Sequence, residues 1–137
     1  MTRISTDPSE IDLDWLHSAL SERSYWALGR SRELVERSVA NSLCYSALDG
    51  RRQVGFARVV TDQATFAWVC DVFVDEDCRG RGIGRMLMAA ITGDERLAGL
   101  KRTILVTSSP DFYAPFGFAP IDRPERWMLR GGPGPAD

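Results

Sequence analysis

The sequence predicts a single-domain α/β fold, with a mixed, mostly antiparallel sheet, a central parallel pair and helices on both faces. Three observations predict it. Two helical patterns precede a run of strand-like segments. A long stretch rich in β-branched and aromatic residues, Thr65–Asp75, runs into a glycine-rich turn and then an amphipathic helix. A short apolar segment follows that helix, which makes the helix a crossover and the strands on either side of it parallel neighbours.

Each element has its own signal. Asp7–Leu20 carries Ile11, Trp15, Ala19 and Leu20 at helical spacing, behind a proline and a serine that start helices. Ser31–Leu43 repeats the pattern with Leu34, Val35, Ser38 and Val39, and Ser31 suits an N-cap. Between them lies a polar loop, Ser21–Arg30, that holds Tyr25 and Trp26. Leu43–Asp49 and Val54–Asp62 flank Gly50–Gln53, a hairpin signal. Along Thr65–Asp75, alternation sends Phe66, Trp68, Cys70, Val72 and Val74 toward the core, and Ala67, Val69, Asp71 and Phe73 to the opposite face. After the turn, Ile83, Met86, Leu87, Ala90 and Ile91 mark a helix that Gly93 ends. Thr103–Thr107 reads as a short buried strand, Pro110–Phe118 as a helical turn limited by Pro115 and Gly117, and Glu125–Arg130 as a last strand.

The bulk properties bound the function. A chain of 137 residues fits one domain, here 1–130, followed by a loose Gly/Pro tail, 131–137. A formal charge of −2 gives no electrostatic reason to expect nucleic-acid binding. The three cysteines, Cys44, Cys70 and Cys78, lack CxxC spacing, and His17 is the one histidine, so no metal is expected. No stretch approaches the roughly 20 apolar residues of a membrane span. The odd cysteine count and the polar N-terminus point to the cytoplasm.

The turn Cys78–Leu87, "CRGRGIGRML", sits between a strand and a helix. A helix N-terminus offers unpaired N–H groups and a partial positive charge. Gly80, Gly82 and Gly84 let an anion approach without a Cβ in the way, and Arg79, Arg81 and Arg85 add charged donors. Phosphate binding is the natural reading. The Gly-Lys-Ser/Thr of a Walker loop is absent, and the GxGxxG fingerprint fails at Arg85 or Leu87. An Arg-Gly RNA-binding segment would be longer and would not run straight into a helix.

The segment "RGRGIG", Arg79–Gly84, resembles the Arg/Gln-x-x-Gly-x-Gly/Ala signature of the GNAT N-acetyltransferase superfamily. The preceding "CDVFVD" resembles its central strand, and "YAPFGF", Tyr113–Phe118, its C-terminal Tyr-x-x-Phe-Gly-Phe segment. The likeness runs from about Tyr25 to Trp127. It implies that Arg79, Gly80, Arg81, Gly82, Ile83, Gly84 and Arg85 bind the pyrophosphate of acetyl-CoA. The backbone of Val72, Phe73 and Val74 would take the pantetheine arm, as an added strand does. Relatives often place an asparagine before the C-terminal tyrosine helix; here Ser108 or Ser109 would serve instead.

Acetyl transfer to an amine needs a neutral amine, a polarised carbonyl and a protonated leaving thiolate. Tyr113 matches the family's general acid, with packing beside Phe116 and Phe118 as the competing reading. Asp71 is the first candidate for general base, since partial burial would raise its pKa; the competing reading is a salt bridge to an arginine. Tyr25, Trp26, Asp62 and Trp68 are candidates for an acceptor pocket, because aromatics with a carboxylate suit a cationic amine. For Trp26 and Trp68 core packing competes. Cys70 and Cys78 lack a nearby pKa-lowering partner and read as packing residues.

The expectation is an acetyl-CoA-dependent N-acetyltransferase that acts on a small-molecule amine by direct attack. The family often dimerises, though no dimer signature stands out in this chain. Protein lysine or N-terminal acetylation, a catalytically weak CoA-binding regulatory module and a nucleotide-binding domain are the alternatives.

Overall fold

The computed structural model describes residues 1–133; of the expected tail, residues 134–137 lie outside the described residues. Five strands form one sheet in sequence order: β1 Thr2–Ser5, β2 Leu43–Asp49, β3 Arg52–Thr61, β4 Phe66–Val74 and β5 Arg102–Ile104. Neighbours are antiparallel except β4 and β5, which are parallel and joined by the crossover helix. The helices are α1 Leu13–Ser18, α2 Arg32–Ala40, α3 Ile83–Thr92 and α4 Pro110–Tyr113. Among the described residues no helix is long and apolar enough to cross a membrane.

Local chemistry sets these boundaries. Asp12 caps α1 by accepting the Trp15 N–H at 3.0 Å, and Ser31 caps α2 by accepting the Leu34 N–H at 3.2 Å. The chain leaving α1 widens into a π turn, Ala19–Arg23. Ser24 then fixes the exit: its hydroxyl donates to the Leu20 carbonyl and accepts from the Ala27 N–H. That exit carries Arg23, Tyr25 and Trp26 over the end of β4.

The sheet is covered on both faces. Ile83, Leu87, Met88 and Ile91 of α3 bury against Tyr45, Ala57, Val59 and Val69. Leu16, Leu20 and Val35 cover the other face over Cys44 and Phe56. Each such aliphatic side chain contributes about 1.5–3 kcal/mol by leaving water.

The structure departs from the sequence expectation in three places. A strand forms at Thr2–Ser5, paired with β2, where none was expected. Glu125–Arg130 is not a strand: Pro124–Arg126 is a single 3-10 turn after Arg123 at φ 55°, and Pro124 has no N–H for a ladder. Among the described residues no strand lies outside β5, so the parallel pair closes one side of the sheet.

The third departure is the facing of β4. Ala67, Val69, Asp71 and Phe73 are its buried residues, and Phe66, Trp68, Cys70, Val72 and Val74 are only half-buried. Two causes act together. Helices cover both faces, so neither set is solvated by default. In addition, β4 bulges: Phe56 opposes Phe73 while Arg58 opposes Cys70, and Asp71 sits in the left-handed region at φ 53°. Past the bulge the facing swaps: Val72 and Val74 pack on the α3 side with Ala67 and Val69, while Asp71 turns toward Trp26, Arg30 and Arg58.

Candidate active site

The site follows from a short parallel pairing. β4 and β5 pair at Phe66–Trp68 with Arg102–Ile104 and then part. Beyond that point a cleft opens between the β4 edge and the segment leading into α4. Two cavities occupy it. The wider, about 730 Å³, runs from Gly80, Gly82 and Gly84 along Val72–Val74 to Ser108 and Tyr113. The narrower, about 250 Å³, continues past Trp68, Cys70 and Asp71. Tyr25, Trp26, Val72, Thr107, Ser108 and Tyr113 line both, so the cavities meet there.

At the wide end, the glycines do different jobs. Gly80 and Gly82 have φ of 82° and 78°, and a Cβ on either would meet nothing within 4 Å. They are needed for backbone conformation, which turns the chain into the N-terminus of α3. Gly84 has an ordinary φ, but its Cβ would lie 2.9 Å from Cζ of Phe112. It makes room for the α4 aromatic. Arg79 and Arg85 line the cavity; Arg81 is exposed and lines neither cavity, and the Ile83 side chain is buried under the sheet. Of the three arginines expected to add charged donors, Arg81 alone points its side chain away from the cleft.

Phe73 is clamped by two guanidiniums. Arg23 lies 5.2 Å and Arg79 5.8 Å from its ring centre. Arg79 donates Nε–H to the Val74 carbonyl, and Arg23 bridges Asp75 at 2.9 Å and Glu76 at 3.2 Å. Arg23 was not singled out by sequence, since nothing local links residue 23 to residues 73–76.

At the junction, Tyr113 stacks edge-on against Phe112 at 4.8 Å and Phe118 at 6.1 Å. Burial, with Tyr25 nearby, pushes its phenol above the ordinary tyrosine value. Tyr25 places its hydroxyl 3.0 Å from that of Ser108, bridging the two lips of the cleft.

Asp71 is almost wholly buried. Its Oδ2 accepts from Arg30 at 2.8 Å and Arg58 at 2.9 Å, and its Oδ1 accepts the Trp26 indole N–H at 2.9 Å. Burial pushes the carboxyl up, but the Arg58 and Arg30 charges outweigh it and hold the group below the ordinary aspartate value. The direction is the reverse of that expected from burial alone. Trp68 lines the narrow cavity as expected. Asp62 lines neither cavity: it closes the β3–β4 turn by accepting from the N–H groups of Ala64 and Thr65 and from the Thr65 hydroxyl. Burial pushes the Cys70 thiol up to about 12, which suits packing rather than nucleophilic attack. Cys78 is buried in the core cluster beneath α3.

Known proteins share this fold. Residues 40–120 match the family model for the acetyltransferase (GNAT) domain. A Xanthomonas campestris crystal structure, described as belonging to the gnat family, is 41% identical with a TM-score of 0.95, covering 98% of this chain and 95% of that one. A Gibberella zeae protein named as an acetyltransferase is 28% identical over 127 residues, covering 77% of this chain and 71% of that protein. N-acetylglutamate synthase from Neisseria gonorrhoeae, solved with coenzyme A and N-acetyl-glutamate, shares the fold at a TM-score of 0.66 and 22% identity, over 85% of this chain and 28% of that one.

Proposed function

The chain belongs to the GNAT acetyltransferase family and is an acyltransferase, and we propose that it carries an acetyl group from acetyl-CoA to the primary amine of a small molecule. One observation carries this reading: two cavities of different width meet beside Tyr113 at an unpaired strand edge. The wide cavity has the features of a donor site. An anion at the start of α3 would find unpaired N–H groups, the helix dipole and the side chains of Arg79 and Arg85. The peptide-like arm of the donor would add to the open edge of β4 at Val72–Val74, with Ser108 on the opposite lip. That the Neisseria fold neighbour was solved with coenzyme A supports coenzyme A as a ligand of this fold.

The chemistry then needs no covalent enzyme intermediate. An amine in the narrow cavity attacks the thioester carbonyl carbon, the C–N bond forms, and the C–S bond breaks. The departing thiolate takes the Tyr113 phenol proton, the amine's surplus proton leaves to water, and water returns a proton to the Tyr113 phenolate. Tyr113 suits this role because its phenol is protonated at neutral pH and lines the place where the two cavities meet. Asp71 is recast as a positioning residue. Both of its oxygens are committed to Arg30, Arg58 and Trp26, so it orients Trp26 rather than accepting the amine proton.

The test is thiol release from acetyl-CoA across a broad amine panel, with product masses measured. An acetylated small amine formed well above the rate of hydrolysis is expected. If CoA binds and no amine raises thiol release, the chain is a CoA-binding module instead.

A further inference from the structure

The narrow cavity offers no free charge to its occupant. Among the described residues, its polar lining is made of hydroxyls and a thiol from Tyr25, Cys70, Thr107, Ser108 and Tyr113, together with Asp71. Asp71 is already saturated by Arg30 and Arg58. These two guanidiniums face one carboxylate, whose side chain is 1% exposed. Neither guanidinium lines the cavity and both are committed to Asp71, so neither is offered to a carboxylate on the occupant. The remaining wall is apolar: Trp26, Trp68, Val69, Val72, Leu105 and Val106. The carboxylate that would have balanced an ammonium, Asp62, is bound into a turn outside the cavity.

A charge taken into such a space without a partner loses its hydration and gains nothing in exchange. Aromatic walls by themselves attract cations. Here no free carboxylate adds to that attraction. We infer that the acceptor is a compact monoamine whose body is uncharged and apolar or aromatic, admitted as the neutral amine. A diamine, a polyamine or an amine bearing a carboxylate would leave a second charge unpaired. This inference rests on the acetyl-transfer reading above and narrows its acceptor.

Matched amines test it. Hexylamine, hexamethylenediamine and ε-aminocaproate have similar length and differ only in the far group; phenethylamine supplies an aromatic body. With purified full-length protein and acetyl-CoA, kcat/KM for hexylamine and phenethylamine should exceed that for the other two by about tenfold or more. Equal or better use of the diamine or the amino acid would overturn the inference and leave acetyl transfer standing. If none of the four is acetylated but another amine in a broader panel is, the inference alone falls. If no amine of any class raises thiol release, both readings fall.

Discussion

Trp26 donates its indole N–H to Oδ1 of Asp71 at 2.9 Å, tying a loop to a buried strand carboxylate 45 positions away. This bond fixes a wall that both cavities share. It also explains why a strained, left-handed aspartate sits in the middle of a strand. The bulge turns the carboxylate toward Trp26, Arg30 and Arg58, and those three donors hold the bulge in place.

Asp71→Asn should therefore act on stability and on the site together. Removing the charge strands Arg30 and Arg58, and breaking a buried pair costs about 3–5 kcal/mol. Both arginines keep some exposure, so a loss of about 2–3 kcal/mol in denaturant unfolding is expected. The folded-state pKa of Asp71 is lowered, so the cluster contributes fully above the unfolded value near ~3.9 and is lost as pH falls through the folded value. The stability gap between wild type and variant should be flat from about pH 5 to about pH 7 and begin to close below about pH 4. A gap that keeps its size as acid unfolds both proteins would remove the charge argument. The Trp26 indole N–H resonance should move in the variant; a static resonance would show that the bond does not form.

Tyr113→Phe removes one oxygen and leaves the stack on Phe112 and Phe118 in place. General-acid removal costs on the order of a hundredfold or more in turnover. CoA affinity by calorimetry should change little, because the phenol acts on the leaving thiolate late in the reaction. Since burial and Tyr25 raise its pKa, the rate should rise with pH as the amine loses its proton, and no alkaline fall caused by Tyr113 should appear below about pH 10. Wild-type turnover in the variant would reduce Tyr113 to a packing residue.

Much of this fold was legible in local patterns. The N-cap at Ser31, the inward stripe Ile83, Leu87 and Ile91, and the glycine turn are each set within a few residues of sequence. For Asp71 the competing reading, a salt bridge to an arginine, is what forms, but which partners it takes was not legible, because they lie 13, 41 and 45 positions away and only the folded sheet brings them together. The facing of β4 failed for a related reason: a non-glycine bulge interrupts alternation without a sequence mark. Two misreadings did have signals. Pro124 argues against a ladder in the last segment. Asp62, with Thr65 three positions on, is a side chain that closes its own turn.

The glycine turn separates two effects that one motif would lump together. Gly82→Ala forces a side chain into a backbone region at φ 78°, at a cost of about 1–2 kcal/mol, and disturbs the start of α3. CoA affinity should fall roughly in step, by about fivefold to thirtyfold. Gly84→Ala instead meets the tip of the Phe112 ring at 2.9 Å. That ring must shift, and Tyr113 follows it in α4. Turnover should therefore drop more than CoA affinity. The reverse pattern, with Gly84→Ala losing CoA and Gly82→Ala losing only turnover, would put the phosphates elsewhere than the start of α3.

Cys70 gives the sharpest check on direct attack, because it is the one thiol lining the narrow cavity among the described residues. If acetyl passed through the enzyme, Cys70 would be the natural carrier. Burial argues against it: a thiol pushed up to about 12 is almost entirely protonated at neutral pH, and the thiolate is the nucleophile. Cys70→Ala should keep turnover within about threefold of wild type, the loss reflecting a small change in cavity shape. Wild-type protein incubated with acetyl-CoA and no amine should show no acetylated species by intact mass. Initial-rate plots with both substrates varied should intersect, as they do when both must be bound before transfer. An acetylated protein that vanishes in Cys70→Ala, with parallel rate plots, would replace direct attack by a two-step transfer through the thiol.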